Sequence, residues 1–161
     1  FILTILLGAA AFSLTLKELG GDDMIRLGIA NLPFSDEGII IAILVLVFFL
    51  GFILDWIEIS LILLPIVGPL ISNLPIVSAD GVDKPILVWF AILVAVTLQT
   101  SFLTPPVGFA LFYLKGVAPD EIQLSHIYRG VVPFIVIQLI VLTLLFFYPQ
   151  IVLWLPSVAS R

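Results

Sequence analysis

Residues Leu98 to Gly108 read Leu-Gln-Thr-Ser-Phe-Leu-Thr-Pro-Pro-Val-Gly and lie within a segment, Ile86 to Leu114, that contains no charged residue. A helix that crosses lipid must satisfy its own backbone hydrogen bonds, so an interruption is tolerated only where it is buried or lines a cavity. Interrupted helices of this kind mark the binding sites of secondary transporters. The segment therefore predicts a proline-broken membrane helix that forms one wall of such a site.

Composition is typical of an integral membrane protein. Hydrophobic residues make up 62% of the 161 residues, charged residues make up 11%, and the mean hydropathy is +1.33. Soluble domains carry about 25% charged residues, and a soluble fold of this size could not bury so much apolar surface. The net charge of −5 includes no basic patch, so we expect no nucleic-acid partner. Without cysteine and with only His126, thiolate and imidazole metal clusters are excluded.

The hydropathy pattern predicts an all-α polytopic membrane protein. Its segments are a transmembrane helix over 1–16, an interfacial connector over 17–37, a hairpin over 38–73, a broken transmembrane helix over 85–116, an amphipathic connector over 117–129, and a last transmembrane helix with its tail over 130–161. The chain begins at Phe1 within an apolar segment and shows no basic leader, so we interpret it as part of a longer membrane protein. The few basic residues are too evenly divided to orient it by the positive-inside rule.

The segment 38–73 must turn near Asp55. As one straight helix, residues 39–73 would be roughly 50 Å long, whereas the hydrocarbon core is about 30 Å thick. Either both limbs cross the bilayer and Asp55 lies at a surface, or the limbs form a re-entrant hairpin whose tip stops inside the membrane. The prolines of the second limb favour the hairpin and Trp56 favours an interfacial position. The residues alone leave both arrangements open.

The prolines of the break are expected to release backbone oxygens. Pro105 and Pro106 carry no N–H, so the carbonyls of Ser101 and Phe102, four residues earlier, should lose their helical partners. Hydroxyl groups stand nearby at Thr100, Ser101 and Thr104. In transporters, unwound carbonyls coordinate a coupling cation such as Na⁺. The alternative is a plain proline kink whose hydroxyls bond back to the preceding turn, but the number of polar groups favours a binding site.

The far side of the break is expected to attract an anion. Thr104 is a favourable N-cap and Pro105 a favourable first residue for a second half-helix. The positive end of that half-helix would then point into the break and favour a carboxylate. Gln99 is a further candidate for the site, and Gly108 is expected to permit close helix packing.

Acidic residues in the turn of the hairpin are further candidates, because ionisable groups within membrane segments are costly and commonly functional. Asp55, with Gly51 one turn earlier to allow close approach, is a candidate for cation binding. Glu58 is interpreted as a solvated residue of the turn. The predicted Na⁺ ligands are Asp55, Ser101 and Thr104.

Three segments match the motifs of one family in the same order. Residues 50–55 (LGFILD) followed by 62–66 (ILLPI) resemble a G-x-x-x-D segment followed by I-L-x-x-P, and residues 103–112 (LTPPVGFALF) resemble a T-P-P-x-G signature. Residues 133–156 resemble the C-terminal end of the same family. The family is the large membrane subunit of tripartite ATP-independent periplasmic (TRAP) transporters.

The resemblance implies an elevator-type transporter of the bacterial inner membrane, not an enzyme. In it, Na⁺ entry drives uptake of an organic acid that a periplasmic binding protein delivers, and a small four-helix membrane subunit is the partner of the large one. It implies no cofactor other than the coupling ion. It also implies that 38–73 is a re-entrant hairpin, with Asp55 near its tip and the break between Ser101 and Pro106 facing it. That arrangement would put Lys17 and Arg26 on the periplasmic side, against the weak charge bias.

One position departs from the family's pattern. Many members have glycine three residues before the threonine of T-P-P, where this chain has Ser101. The surrounding residues resemble the branch associated with mannitol, chloroaromatic compounds, lactate or 2-oxo acids. Two alternatives to a transporter are a non-transporting assembly subunit and an intramembrane enzyme that uses Asp55 and Glu58 as a carboxylate pair. The enzyme is disfavoured because no histidine or cysteine lies in a predicted span.

Overall fold

A computed structural model describes residues 2–30, 34–72, 86–106, 108–119 and 121–159. Within these ranges the regular structure is helical throughout, as predicted. The helices are α1 (Ile2–Glu18), α2 (Gly21–Ala30), α3 (Asp36–Leu50), α4 (Trp56–Ser72), α5 (Ile86–Leu103), α6 (Phe109–Val117), α7 (Leu124–Phe147) and α8 (Pro149–Ala159).

The long apolar segment is interrupted where the prolines predicted a break. Helix α5 ends at Leu103 and α6 begins at Phe109. Among the described residues, α5 and α7 are the helices long and apolar enough to cross a membrane. Helix α5 lies at the centre of the fold and contacts α3, α4, α6, α7 and α8. The break therefore lies directly after the helix that contacts the most other helices.

The core forms around the buried face of α5. Trp89, Phe90, Leu93 and Val94 of α5 are at most 2% exposed. They share one apolar cluster with residues of α3, α4 and α8, namely Ile40, Val47, Ile59, Ile71 and Leu153. The indole Nε1 of Trp89 also donates a 2.7 Å hydrogen bond to the carbonyl of Leu145, which links α5 to α7. These contacts fix the helix that carries the polar segment.

The hairpin has its turn at residues 51–55, as the length argument predicted. The hydroxyl of Ser35 accepts a hydrogen bond from the Gly38 N–H and so caps α3. At 1.5 Å per residue, α3 is roughly 22 Å long and α4 roughly 26 Å. Each is shorter than a hydrocarbon core of about 30 Å. The position of the tip relative to the membrane stays a prediction, and residue 73 lies outside the described ranges.

One predicted boundary differs from the observed one, and two predicted connecting segments contain a helix. The predicted connector 117–129 is wrong over its second half, because α7 begins at Leu124. A reciprocal capping box between Gln123 and His126 starts that helix earlier than its hydropathy indicated. The connector 17–37 contains the helix α2, and the tail after Tyr148 is the helix α8. Pro149 is its first residue, where a missing N–H costs no helical hydrogen bond.

Candidate functional site

The turn of the hairpin and the break meet at Ser101. Its hydroxyl donates a 2.8 Å hydrogen bond to the carbonyl oxygen of Phe48, 53 positions away in sequence. Ser101 is completely buried, and Phe48 lies in the last turn of α3. The final carbonyls of a helix have no partner within the helix. Ser101 therefore caps the C-terminal end of α3 from the last turn of α5.

Gly51 makes this approach possible. A Cβ atom at Gly51 would lie 2.6 Å from the Ser101 Oγ and 2.9 Å from the Ser101 Cβ, distances that real Cβ contacts do not show. Gly51 is buried. The sequence predicted that Gly51 allows close approach beside Asp55; in the structure the residue that approaches Gly51 is Ser101, and a role in binding stays a prediction.

Hydroxyl side chains form a stripe along the end of α5 and the residue that follows it. Thr97, Thr100, Ser101 and Thr104 follow the spacing i, i+3, i+4, i+7, which places them on one helix face. Each threonine donates to the carbonyl four residues earlier: Thr97 to Leu93 at 2.8 Å, Thr100 to Val96 at 2.8 Å and Thr104 to Thr100 at 2.7 Å. Because the protons are used in this way, the oxygens keep lone pairs for another partner. Thr97 was missed at first, although its spacing from Thr104 is the signal that identifies it.

Two predictions about the break are wrong. The carbonyl of Ser101 is not released, because it accepts a 3.1 Å hydrogen bond from the Thr104 N–H. Thr104 does not cap α6, and Pro105 is not its first residue. The N-cap is Gly108. The Thr104 hydroxyl already bonds back to Thr100, and the Gly108 N–H closes a turn on the Thr104 carbonyl at 3.1 Å.

Gly108 is required by this turn. A Cβ atom there would lie 2.6 Å from the carbonyl oxygen of Phe102 and 3.1 Å from Leu111 Cδ1. The close packing predicted for Gly108 is therefore confirmed, and the tightest contact is with backbone. On the outer side of the same turn, the exposed Pro106 offers its carbonyl to the hydroxyl of Tyr128, which donates at 3.1 Å.

The acidic residues of the hairpin cap a helix. Asp55 is exposed, and its Oδ1 accepts a 2.8 Å hydrogen bond from the Trp56 N–H. Glu58 Oε2 accepts from the Asp55 N–H at 3.4 Å, and the Asp55 carbonyl accepts the first helical bond, from Ile59. Glu58 therefore supplies the return half of a capping box at the start of α4, while the Asp55 side chain bonds the Trp56 N–H and not the Glu58 N–H. Glu58 is a capping partner and not an idle residue of the turn.

Gln99 is not brought to the site. It is exposed, whereas its neighbours Leu98 and Thr100 are buried. The structure therefore places Gln99 on a different face of α5 from the hydroxyl stripe.

The electrostatics of the contact favour a cation. Helices α3 and α5 both end beside it, and each helix C-terminus carries roughly half a negative charge. Neither helix contains Lys or Arg. Among the described residues, no three His, Cys, Asp or Glu side chains are grouped as metal ligands. A cation at this contact would therefore be held by neutral hydroxyl and carbonyl oxygens.

An apolar groove lies beside the contact. It has a volume of about 390 Å³ and is bounded by α3, α5 and α7. Phe48 and Thr100 line it, so it borders the residues around Ser101. The hydroxyls of Thr97 and Thr143 are among its few polar groups. The groove can accommodate the body of a small organic molecule.

Comparison with known proteins identifies the family. The family model described as "Tripartite ATP-independent periplasmic transporter, DctM component" matches residues 1–151. The chain belongs to this family. The earlier resemblance is thereby confirmed, as is the prediction of a transporter subunit and not an enzyme.

Several relatives carry names that state a transported compound. The chain is 33% identical to the sialic acid TRAP transporter large permease protein SiaM of Vibrio cholerae over 128 residues, which cover 78% of the chain and 27% of that protein. It is 39% identical to the isethionate TRAP transporter permease protein DctMQ of Oleidesulfovibrio alaskensis over 114 residues, 70% of the chain and 16% of that protein. It is 30% identical to the C4-dicarboxylate TRAP transporter large permease protein DctM of Vibrio cholerae over 95 residues, 59% of the chain and 19% of that protein.

The chain thus spans about a quarter or less of the length of these relatives. No solved structure matches it. Since the three relatives are named for different compounds, family membership does not select a substrate, and the branch suggested by residues 99–103 and 109–119 stays a prediction.

Proposed function

We propose that this chain belongs to the large subunit of a Na⁺-coupled organic-acid transporter and binds both solutes where the hairpin turn meets the break. The observation that carries the proposal is the buried Ser101 hydroxyl, bonded to Phe48 where two helix C-termini converge. A buried polar contact between the C-terminal ends of two helices that contain no Lys or Arg suits a site for a small cation.

The proposed Na⁺ ligands are hydroxyl and carbonyl oxygens. Ser101 Oγ and the Phe48 carbonyl lie within hydrogen-bonding distance of each other, so one ion can contact both. Thr104 Oγ1 is one helical turn further along the same face and keeps its lone pairs. Asp55 contributes the negative charge of the hairpin turn and acts through the local potential.

The substrate carboxylate is proposed to bind at the other side of the break. Helix α6 begins there, and the first N–H groups of a helix have no helical acceptor and favour an anion. The apolar groove beside Thr100 would accommodate the body of the acid. One interrupted helix thus supplies groups for both solutes.

The remaining features follow the family. We propose that a periplasmic binding protein delivers the acid, that a small four-helix membrane subunit accompanies the large one, and that the complex lies in the bacterial inner membrane. The short limbs α3 and α4 support a re-entrant hairpin, and an elevator movement would carry the site across the membrane.

Na⁺ binding can be measured without knowing the substrate. The full-length large subunit, purified with its small subunit, should be heated in NaCl and in KCl of equal ionic strength. An ion that binds the folded state raises the melting temperature. We expect stabilisation by Na⁺ alone, and Na⁺-gradient-driven uptake of labelled acids in proteoliposomes with the cognate binding protein. Equal melting temperatures together with no uptake would support a non-transporting assembly subunit instead, and uptake that is indifferent to Na⁺ would exclude Na⁺ coupling.

Thr104→Ala is expected to remove Na⁺ stabilisation and Na⁺-driven uptake while the complex still assembles. The physical reason is the loss of one proposed ligand oxygen. Ser157→Ala is a control, because the Ser157 hydroxyl also donates to a carbonyl of the preceding turn, that of Trp154 at 2.6 Å, but lies on α8 and does not line the groove. Wild-type Na⁺ dependence in Thr104→Ala would contradict the assignment of this hydroxyl.

Asp55 can be tested for charge separately from capping. Asp55→Asn retains an N-cap side chain but removes the charge, so we expect a normal melting temperature in KCl and weaker Na⁺ stabilisation. Asp55→Ala should lose both the helix cap and the charge, and the lost cap should lower the free energy of unfolding by about 1 kcal/mol. If Asp55→Asn transports like the wild type and only Asp55→Ala is impaired, the residue is a helix cap alone.

A further inference from the structure

The break has a second side-chain hydrogen bond, which comes from α7. Tyr128 lies near the start of α7, and its hydroxyl donates to the carbonyl of Pro106 at 3.1 Å, across 22 positions of sequence. The ring of Tyr128 packs against the small cluster of Leu111, Ile127 and Val131 between α6 and α7. The ring is therefore held on the helices that flank the break, while its hydroxyl reaches into the turn.

The turn depends on such bonds because its own backbone offers few. Pro105 and Pro106 have no N–H, so the turn cannot complete a helical hydrogen-bond ladder. Side chains hold the turn and the helix end before it: Tyr128 links Pro106 of the turn to α7, and Ser101 links the end of α5 to Phe48 on α3. A chain segment with few internal hydrogen bonds takes its position from such external contacts.

Helix α7 contacts α5 and its break at two separate hydrogen bonds. At one end the Trp89 indole bonds to Leu145, and at the other Tyr128 bonds to Pro106. The first bond joins two complete helices far along the chain from the break. The second joins α7 to the turn that carries Thr104. The Trp89–Leu145 bond joins two helices only, whereas the Tyr128–Pro106 bond also holds the turn beside the proposed site. Comparing variants of the two bonds therefore separates helix packing from positioning of the site.

We propose that Tyr128 is a positioning residue of the cation site, which holds the Thr104–Gly108 turn in its binding-competent arrangement through Pro106. This proposal rests on the proposed function. Tyr128 does not touch the ion. When its hydroxyl is lost, the turn samples other arrangements, and the apparent affinity for Na⁺ falls in proportion to the competent fraction. The maximal uptake rate at saturating Na⁺ is unchanged, because Na⁺ itself selects the competent arrangement.

The test is Tyr128→Phe in the full-length subunit with its partner subunit. Half-saturating Na⁺ is measured by melting temperature and by uptake in proteoliposomes. We expect it to rise about fivefold, the equivalent of about 1 kcal/mol for one hydrogen bond, with maximal uptake preserved. Hydrogen exchange should become faster at the amides of Thr104 and Gly108, which close the turn on the Ser101 and Thr104 carbonyls.

Two control variants separate positioning from general stability. Tyr113→Phe removes a hydroxyl from a side chain that is 78% exposed on α6. It should change neither half-saturating Na⁺ nor the hydrogen exchange of the turn. Trp89→Phe removes the other hydrogen bond to α7, and should lower the melting temperature without changing half-saturating Na⁺.

The results for Tyr128→Phe, Trp89→Phe and the wild type test different parts of the proposal. Unchanged Na⁺ affinity and unchanged exchange in Tyr128→Phe would overturn the positioning role while leaving the proposed function intact. An equal loss of affinity in Trp89→Phe would likewise overturn it, in favour of general destabilisation. Absence of any Na⁺ effect in the wild type would overturn the proposed function and the positioning role together.

Discussion

Gly108→Ala is expected to prevent formation of a stable transporter complex. The added Cβ would lie 2.6 Å from the carbonyl oxygen of Phe102, and this oxygen belongs to backbone at the end of α5. A flexible side chain could rotate away, but here either the end of α5 or the turn must move. Overpacking of this kind costs about 1–3 kcal/mol, occasionally more, and the displacement falls on the proposed site. We expect roughly a tenth or less of wild-type uptake.

Fluorescence-detected size exclusion of the tagged complex, followed by uptake, measures both effects of Gly108→Ala. Gly130→Ala is the matched control, since a Cβ at Gly130 on α7 meets no atom within 4 Å. Alanine there should be neutral or slightly stabilising, because glycine is unfavourable within a helix. If Gly108→Ala assembled and transported as Gly130→Ala does, the turn would not have the close contact described above.

Gly51→Ala is expected to separate the hairpin turn from the break. Its Cβ would collide with the side chain of Ser101 at 2.6 Å from Oγ. The collision displaces the hydroxyl from Phe48 and leaves a partly buried carbonyl without this donor, at a cost of about 1 kcal/mol. We expect a lower melting temperature and loss of Na⁺-driven uptake.

The double variant Gly51→Ala/Ser101→Gly distinguishes packing from ion binding. Removing the Ser101 side chain makes room for the new Cβ, so the melting temperature in KCl should recover relative to Gly51→Ala. Na⁺ stabilisation should stay absent, because the proposed ligand hydroxyl is gone. Ser101→Gly alone gives the baseline for the missing hydroxyl. Recovery of full Na⁺-driven uptake in the double variant would show that Ser101 serves packing only.

Local signals predicted the interruptions of the chain correctly. The two prolines predicted the end of α5, and the excess length of an uninterrupted helix predicted the turn near Asp55. The capping role of Asp55 and Glu58 was also readable, as an acidic cap followed three residues later by Glu at the start of an apolar run. It was overlooked because an acid in an apolar segment was interpreted first as a functional group.

Predictions about the partners of individual groups were less successful. The two prolines predicted that the Ser101 carbonyl has no hydrogen-bond partner. In the structure the Thr104 N–H donates a hydrogen bond to it. Because threonine is a favourable N-cap, the sequence predicted that α6 starts at Thr104. In the structure the Thr104 hydroxyl instead donates to the carbonyl of Thr100 in the preceding turn. Gln99 was grouped with its neighbours in sequence, although adjacent residues of a helix point in different directions.

The amino-acid sequence alone determined the membrane class, the positions of the breaks and the supply of hydroxyl groups on α5, because these depend on composition and on residues within one or two helical turns. Only the tertiary structure decided that Ser101 bonds to Phe48, that Gly51 and Gly108 have no room for a side chain, and that Tyr128 bonds to Pro106. These contacts join residues from different helices, and their formation depends on how the helices pack, which no short-range pattern encodes.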